Sequence, residues 1–184
     1  MDMRIPDPSL VVLIGPAGSG KSTFARRHFR PTEVLSSDAC RAMVSDDESN
    51  QSASGAAFAI LHFIAARRLG FGRLTVVDAT NVLPKARKVL VSLAGEFHCL
   101  AVAIVFDLPE DLCQERSQRR TDRALPPHVV AGHCVELRRS LPGLEQEGFA
   151  RVFVLRSPEE VDAATVTRVP RHGDGPDELA TPAP

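Results

Sequence analysis

Eight consecutive residues near the start of the chain have the types and the spacing that hold a chain of phosphates. They read Gly15-Pro16-Ala17-Gly18-Ser19-Gly20-Lys21-Ser22 and match the pattern G-x-x-x-x-G-K-[ST]. Glycines let the backbone bring its N–H groups close to phosphate oxygens, and a helix N-terminus adds partial positive charge. Lys21 can reach the β- and γ-phosphates, and the Ser22 hydroxyl suits Mg²⁺. A glycine-rich turn is the alternative, but an apolar run at 10–14 and helical residues at 22–30 favour nucleotide phosphate binding.

A carboxylate and a guanidinium follow the next predicted strand, at 33–36. These are Asp38 and Arg41. Ligands of an open parallel sheet bind beyond the carboxyl ends of its strands, so we expect Asp38 at the same edge as Lys21. There it could accept a proton from an attacking hydroxyl, while Arg41 could hold a phosphate of the acceptor. The alternative is that Asp38 caps a short helix and Arg41 forms a surface ion pair.

Arginines are concentrated in residues 115–123. Helical spacing places four of them on one face: Arg116, Arg119, Arg120 and Arg123. Four guanidinium groups repel one another unless an anion lies opposite them. After a fourth strand this pattern predicts a lid that closes over a triphosphate and stabilises charge on the transferring phosphoryl group. The alternative is a solvated basic face, or one that binds nucleic-acid phosphates.

Asp78 ends another predicted strand and has two interpretations. It could be a Walker-B-like partner for Mg²⁺-bound water. Equally, Asp78 and Thr80 could fix the loop and cap the next helix. The sequence leaves this choice open.

Alternating strands and helices must position these residues. Apolar runs predict five buried strands, at 10–14, 33–36, 74–78, 100–106 and 151–155. Helical patterns lie between and after them, at 22–30, 56–69, 84–93, 109–120, 128–141 and 157–165. The alternation predicts an α/β fold of three layers: a mainly parallel sheet of about five strands with helices on both faces.

Composition is that of an ordinary globular domain, with a net charge of −1 that excludes a polycation. Residues 1–8 are polar and proline-broken, and no run is long enough to cross a bilayer, so we expect a cytoplasmic protein. Its four cysteines lack C-x-x-C spacing, which favours reduced thiols over a zinc site built from His98, Cys99, Cys113, His133 and Cys134. We expect a folded domain at 1–165 and a disordered tail or interdomain linker at 166–184.

The motifs together resemble one family, the kinase module of bacterial polynucleotide kinase-phosphatase, an RNA end-healing enzyme. The resemblance is carried by residues 10–23, 31–34, 38, 41, 45–48, 74–81 and 116–123, and it covers about residues 1–165. It implies a P-loop kinase fold with an arginine-bearing lid. It also implies that phosphatase and ligase-like modules follow the tail in the parent chain.

The resemblance further implies ATP- and Mg²⁺-dependent transfer of a γ-phosphoryl group to the 5′-hydroxyl of RNA or DNA, in end healing. It makes Asp38 the general base and places Arg41 on the acceptor-side phosphate. Arg116, Arg120 and Arg123 become lid residues, and Ser22 the Mg²⁺ ligand. The ATP-binding residues would be Gly15, Pro16, Ala17, Gly18, Ser19, Gly20, Lys21, Ser22 and Thr23, together with the lid arginines.

Two other functions remain open on the sequence. One is a small-molecule kinase, or a zeta-toxin-like kinase, on the same scaffold. The other is a nucleotide-dependent switch or RNA-binding module without catalysis. A GTPase is disfavoured because no Asn-Lys-x-Asp motif appears.

Overall fold

A parallel sheet of five strands forms the centre of the computed structural model, which describes residues 1–119 and 125–170. The described residues form these strands: β1 (Asp2–Asp7), β2 (Ser9–Ile14), β3 (Val34–Ser36), β4 (Thr75–Asp78), β5 (Leu100–Phe106), β6 (Arg151–Leu155) and β7 (Thr165–Pro170). The order in the large sheet is β3-β4-β2-β5-β6, and all neighbours are parallel. β2 is therefore central, and it is buried along its whole length.

The connections between successive strands of the five-stranded sheet are helical, as parallel strands require. The helices are α1 (Lys21–His28), α2 (Ser37–Ser45), α3 (Ser54–Gly70), α4 (Pro84–Glu96), α5 (Glu110–Gln118), α6 (Pro127–Ser140) and α7 (Pro158–Ala163). Short 3-10 helices are formed by Pro31–Glu33, Gln51–Ala53 and Leu141–Glu147. Among the described residues, no helix combines the length and the apolar character needed to cross a bilayer.

Side chains of β2 alternate between two hydrophobic cores, one on each face of the sheet. Leu10, Val12 and Ile14 pack in a core shared with α3, α4 and α6. Val11 and Leu13 pack in a second core with Phe24 of α1 and with β1. The sheet is thus covered on both faces, and the predicted three-layer α/β fold with a five-stranded parallel sheet is confirmed.

Both ends of the described chain form strands that the sequence analysis did not predict. The segment expected to be a polar, proline-broken start forms β1, in which Met3 and Ile5 are fully buried. Residues 166–170, expected to belong to the tail, complete β7, which pairs in parallel with β1 from Asp2 and Thr165 onward. In β1, Met3 and Ile5 alternate with polar residues, and β1 and β7 form a separate two-stranded sheet. The ordered domain therefore extends past residue 165, while the assignment of the remaining tail stays a prediction.

Candidate active site

The loop between β2 and α1 brings backbone close to a neighbouring helix. Gly20 caps α1 with a left-handed backbone (φ +93°), and Gly18 also has a positive φ of +80°. A side chain at Gly18 would collide with the carbonyl oxygen of Cys113 in α5. Glycine at this position is therefore required both by backbone conformation and by space.

The Lys21 side chain folds back onto the loop that precedes it. Its ammonium group donates hydrogen bonds to the carbonyl oxygens of Gly15 at 2.9 Å and Pro16 at 2.7 Å. The side chain is buried. The segment after β4 steadies the loop, because the Gly15 N–H donates to the Thr80 carbonyl at 2.9 Å. A positive charge is thus fixed at the carboxyl end of the central strand, where phosphates bind in this type of loop.

Asp78 lies next to this loop, at the end of β4 and in register with Leu13 of β2. Burial raises the pKa of its carboxyl group, and the nearby Asp38 charge adds to that rise. The Lys21 charge and the Ser22 hydroxyl act in the opposite direction and lower the pKa. Asp78 therefore interacts with the lysine, with the hydroxyl and with the second carboxylate.

Of the two interpretations left open for Asp78, helix capping does not fit the structure. Leu83 occupies the N-cap position of α4, and no side chain caps that helix. The Ser22 hydroxyl and the Asp78 carboxylate instead provide a pair of oxygen atoms beside the phosphate loop that could act as metal ligands. Mg²⁺ binds to one or two protein oxygens together with substrate phosphates, so these two residues fit it. Among the described residues, no cluster of three histidine, cysteine or acidic side chains could hold a metal, and the zinc alternative therefore finds no support.

Asp38 and Arg41 lie on one face of α2 and form an ion pair. Ser36 is the N-cap of α2, since its hydroxyl accepts a hydrogen bond from the Ala39 N–H at 3.3 Å. The alternative interpretation, in which Asp38 caps the helix, is therefore wrong. The Arg41 guanidinium is buried and also donates from Nε to the Glu48 carbonyl at 2.8 Å, so it is not a surface pair.

One of the predicted lid arginines can be placed. Arg116 extends from α5 toward the phosphate loop, with Nη1 3.9 Å from the position a Cβ would occupy on Gly20. Arg119 instead forms an exposed ion pair with Glu115. Arg120 and Arg123 lie outside the described residues. Within the described chain, the lid prediction therefore depends on Arg116.

A cavity of about 700 Å³ at the carboxyl ends of β2, β3 and β4 brings together most of the predicted residues, but Gly15, Pro16 and Ser19 do not line it. Charged and hydroxyl side chains from four elements line it: Lys21, Ser22, Asp38, Arg41, Asp78 and Arg116. Ala17, Gly18, Gly20 and Thr23 line it as well. The loop, the carboxylates and the arginines thus share one space, as a phosphoryl donor and an acceptor would require. The individual roles assigned to these residues stay predictions.

Sequence reasoning missed several residues of this cavity. Phe58 of α3, His133 of α6 and Val161 of α7 line it, and Asp162 of α7 forms an ion pair across it with Arg27 of α1 at 3.7 Å. No local motif marks these residues. They reach the cavity only because the packing of α3, α6 and α7 places these residues near the carboxyl ends of the strands.

Comparison with known proteins agrees with this geometry. The sequence model of a family described as AAA domain matches residues 10–144. The transcription factor bHLH140 of Arabidopsis thaliana is 30% identical over 162 residues, which are 84% of this chain and 17% of that protein. This chain therefore spans a small part of that relative.

Two solved structures illustrate the range of similar folds. A chain in a structure of the Pnkp1/Rnl/Hen1 RNA repair complex matches with a TM-score of 0.64 and 24% identity, over 76% of this chain and 47% of that one. A gluconokinase from Sinorhizobium meliloti matches with a TM-score of 0.53 and 17% identity, over 86% of this chain and 87% of that one. The family match covers most of the described sheet and its phosphate loop, and the chain is thus a P-loop kinase domain that belongs to the AAA domain family.

Proposed function

We propose that this domain is a polynucleotide kinase, which transfers the γ-phosphoryl group of ATP to a 5′-hydroxyl end of RNA or DNA. The observation that carries the proposal is the ion pair between half-buried Asp38 and buried Arg41, which lines the same cavity as Lys21. A carboxylate can accept the hydroxyl proton, and a neighbouring guanidinium suits a phosphate that belongs to the acceptor strand. An unphosphorylated small alcohol such as gluconate has no such phosphate for Arg41 to bind.

Phosphoryl transfer asks a protein mainly for positioning and for charge neutralisation. In this proposal the phosphate loop and Lys21 hold ATP, and Arg116 lies over the transferring group. Ser22 and Asp78 would hold Mg²⁺, which offsets the negative charge of the phosphates when bound.

The chemical step then follows from these positions. The Asp38 carboxylate accepts the proton of the 5′-hydroxyl as that oxygen bonds to the γ-phosphorus. The bond from this phosphorus to the oxygen bridging to the β-phosphate breaks, and ADP leaves with the bonding electrons. The products are ADP and a 5′-phosphorylated strand.

The fold likeness to a chain of an RNA repair complex supports a role in end healing, with a nucleic-acid strand as partner. A second candidate function is phosphorylation of a small hydroxyl compound. It is favoured by the likeness to gluconokinase, whose chain is matched over 87% of its length. Acceptor choice distinguishes the two, because the first requires a strand and the second does not.

The test uses γ-labelled ATP with matched 5′-hydroxyl RNA and DNA oligonucleotides and, separately, with gluconate. We expect label on an oligonucleotide. Asp38→Asn should slow that transfer about 10²- to 10⁴-fold, because the amide cannot accept the proton. ATP binding, measured by calorimetry, should stay within about threefold of wild type.

Asp46→Asn is the matched control, since it makes the same change at the C-terminal end of the same helix. Asp46 has a left-handed backbone (φ 55°) that asparagine also adopts. Label on gluconate alone would overturn the polynucleotide assignment. Transfer retained by Asp38→Asn would remove Asp38 from the proton step.

A further inference from the structure

Helix α3 leaves an apolar face in solvent. It buries Ala57, Leu61, Ala65 and Leu69 at helical spacing. Its opposite face exposes small and large apolar residues, and Phe63 is 59% exposed. Phe71, directly after the helix, is 81% exposed. Aromatic side chains of this size are usually buried, so two exposed ones at the same end of a helix need an explanation.

Arginines surround these two rings. A second cavity, of about 420 Å³, is lined by three arginines, two phenylalanines and one isoleucine: Arg67, Arg68, Arg73, Phe63, Phe71 and Ile64. We call this set the aromatic–arginine patch. The Arg67 guanidinium lies over the Phe63 ring, 5.0 Å from its centroid. Arg68 is fixed by a hydrogen bond from Nη2 to the Leu74 carbonyl at 2.9 Å. The patch is thus a concave surface of flat rings and partly fixed guanidinium groups.

The charged side chains of the chain segment that carries the patch are all positive. Residues 51–77 contain no aspartate and no glutamate, and their charged side chains are the three arginines of the patch. This stands out in a chain whose net charge is −1. A surface that is both cationic and aromatic complements a ligand with an anionic backbone and flat faces. Single-stranded nucleic acid has both properties: its phosphates pair with arginine and its bases stack on aromatic rings.

Helix α3 connects the patch to the candidate active site. Its first residue, Ser54, and Phe58 one turn later line the active-site cavity, whereas the patch lies along its C-terminal half, from Phe63 onward. At about 1.5 Å per residue the helix separates the two by roughly 20 Å. The face between them is exposed at Ala56, Ala59 and Ile60. A strand with its 5′ end in the cavity would therefore need several nucleotides to reach the patch.

We propose that the aromatic–arginine patch binds single-stranded nucleic acid downstream of the 5′ end that occupies the active-site cavity. This rests on the proposed function for the identity of the strand. The patch would add affinity for long acceptors and none for short ones. The phosphates contact the arginines, and at least one base stacks on Phe63 or Phe71.

The test compares binding of a 12-nucleotide and a 3-nucleotide single strand, both 5′-phosphorylated and 3′-labelled with fluorescein, by fluorescence anisotropy. Phe63→Ala/Arg67→Ala should weaken 12-mer binding about tenfold or more, because it removes a stacking ring and a phosphate contact. The slope of log affinity against log salt should fall by about one. Binding of the 3-mer should change less than twofold.

Val135→Ala/Arg139→Ala is the matched control. It removes one exposed apolar residue and one exposed arginine at the same spacing of four, on α6. It should leave 12-mer binding unchanged. All substituted side chains are exposed, and circular dichroism verifies that each variant is folded.

Unchanged 12-mer binding by Phe63→Ala/Arg67→Ala would overturn the proposal, and so would equal losses for both strand lengths. Labelled poly-glutamate is the probe for a protein partner. If the patch variant loses poly-glutamate binding but keeps 12-mer binding, the patch serves an acidic polypeptide and the proposal is wrong. Since the probes carry 5′-phosphates, patch binding is measured without any transfer. A selective loss on the 12-mer therefore supports the patch even if 5′-hydroxyl strands are not phosphorylated.

Discussion

A buried ion pair supports the loop after β4, which carries Asn81, and removing the acidic partner of that pair should destabilise the whole domain. Arg87 of α4 is fully buried and is held by Glu147 through two hydrogen bonds, of 2.6 Å from Nε and 2.5 Å from Nη2. Its Nη1 also donates to the carbonyl oxygens of Asn81 at 3.0 Å and Val82 at 2.8 Å. Glu147→Ala therefore leaves a buried cation with carbonyl partners but without its counter-charge.

The expected cost follows from that burial. Breaking a buried pair by removing one partner costs about 3–5 kcal/mol. Native domains are stable by about 5–15 kcal/mol, so the loss is a large share of the total. In a domain of this size about 1 kcal/mol lowers Tm by about 2–4 °C, which gives a decrease of roughly 6–20 °C.

Urea unfolding followed by circular dichroism measures the free energy of unfolding of Glu147→Ala. Glu115→Ala is the matched control, because Glu115 also pairs with an arginine but in solvent: the two side chains are 77% (Arg119) and 54% (Glu115) exposed. That pair should contribute about 0–1 kcal/mol. Equal, small losses for the two variants would refute the argument that burial makes the Arg87 pair costly to break.

The loop that Arg87 holds is in contact with the phosphate loop. The Asn81 side chain donates to the Leu13 carbonyl at 2.8 Å, and the neighbouring Thr80 carbonyl accepts from Gly15. Folded Glu147→Ala protein should therefore also bind ATP more weakly than wild type. Calorimetry at a temperature below the lowered Tm separates this effect from unfolding.

Two further predictions concern the phosphate loop and β7. Gly18→Ala should reduce ATP binding and Tm, because φ is positive there and the new methyl group meets the Cys113 carbonyl. The control is Gly132→Ala, which has open space around it and should be neutral or stabilising by about 1 kcal/mol. Wild-type ATP binding by Gly18→Ala would contradict the loop geometry. Burial by itself raises the pKa of Glu33, but hydrogen bonds from Arg168 and from the Arg30 N–H outweigh it and hold this pKa below its usual value of 4.5. A depressed folded pKa means that the stabilisation is present above about pH 4.5 and is lost as the pH falls through the folded pKa. Glu33→Gln should thus be less stable than wild type at pH 7 and should lose less stability than wild type as the pH falls, as measured by urea titrations. If the free energy of unfolding of the two proteins changed with pH in parallel, this prediction would be contradicted.

Much of the fold and of the site could be predicted because the signals are local. Five apolar runs gave five strands, since parallel strands buried on both faces need nearly continuous apolar sequence. The phosphate loop is contiguous in the chain, and Asp38 and Arg41 are one helical turn apart at the end of a strand. The carboxyl ends of parallel strands meet at one edge, so their convergence in one cavity followed from the strand assignment.

Other features depend on contacts between residues far apart in sequence. Strands β1 and β7 pair across more than 160 residues, and no local pattern indicates which segment pairs with which. Arg87 and Glu147 meet across 60 residues, and His133 and Asp162 reach the cavity from separate helices. The sequence by itself determined the five strands of the large sheet, because their burial follows the local apolar pattern. Tertiary structure alone decided which polar side chains face each other, because that depends on where each crossover helix lies on the sheet.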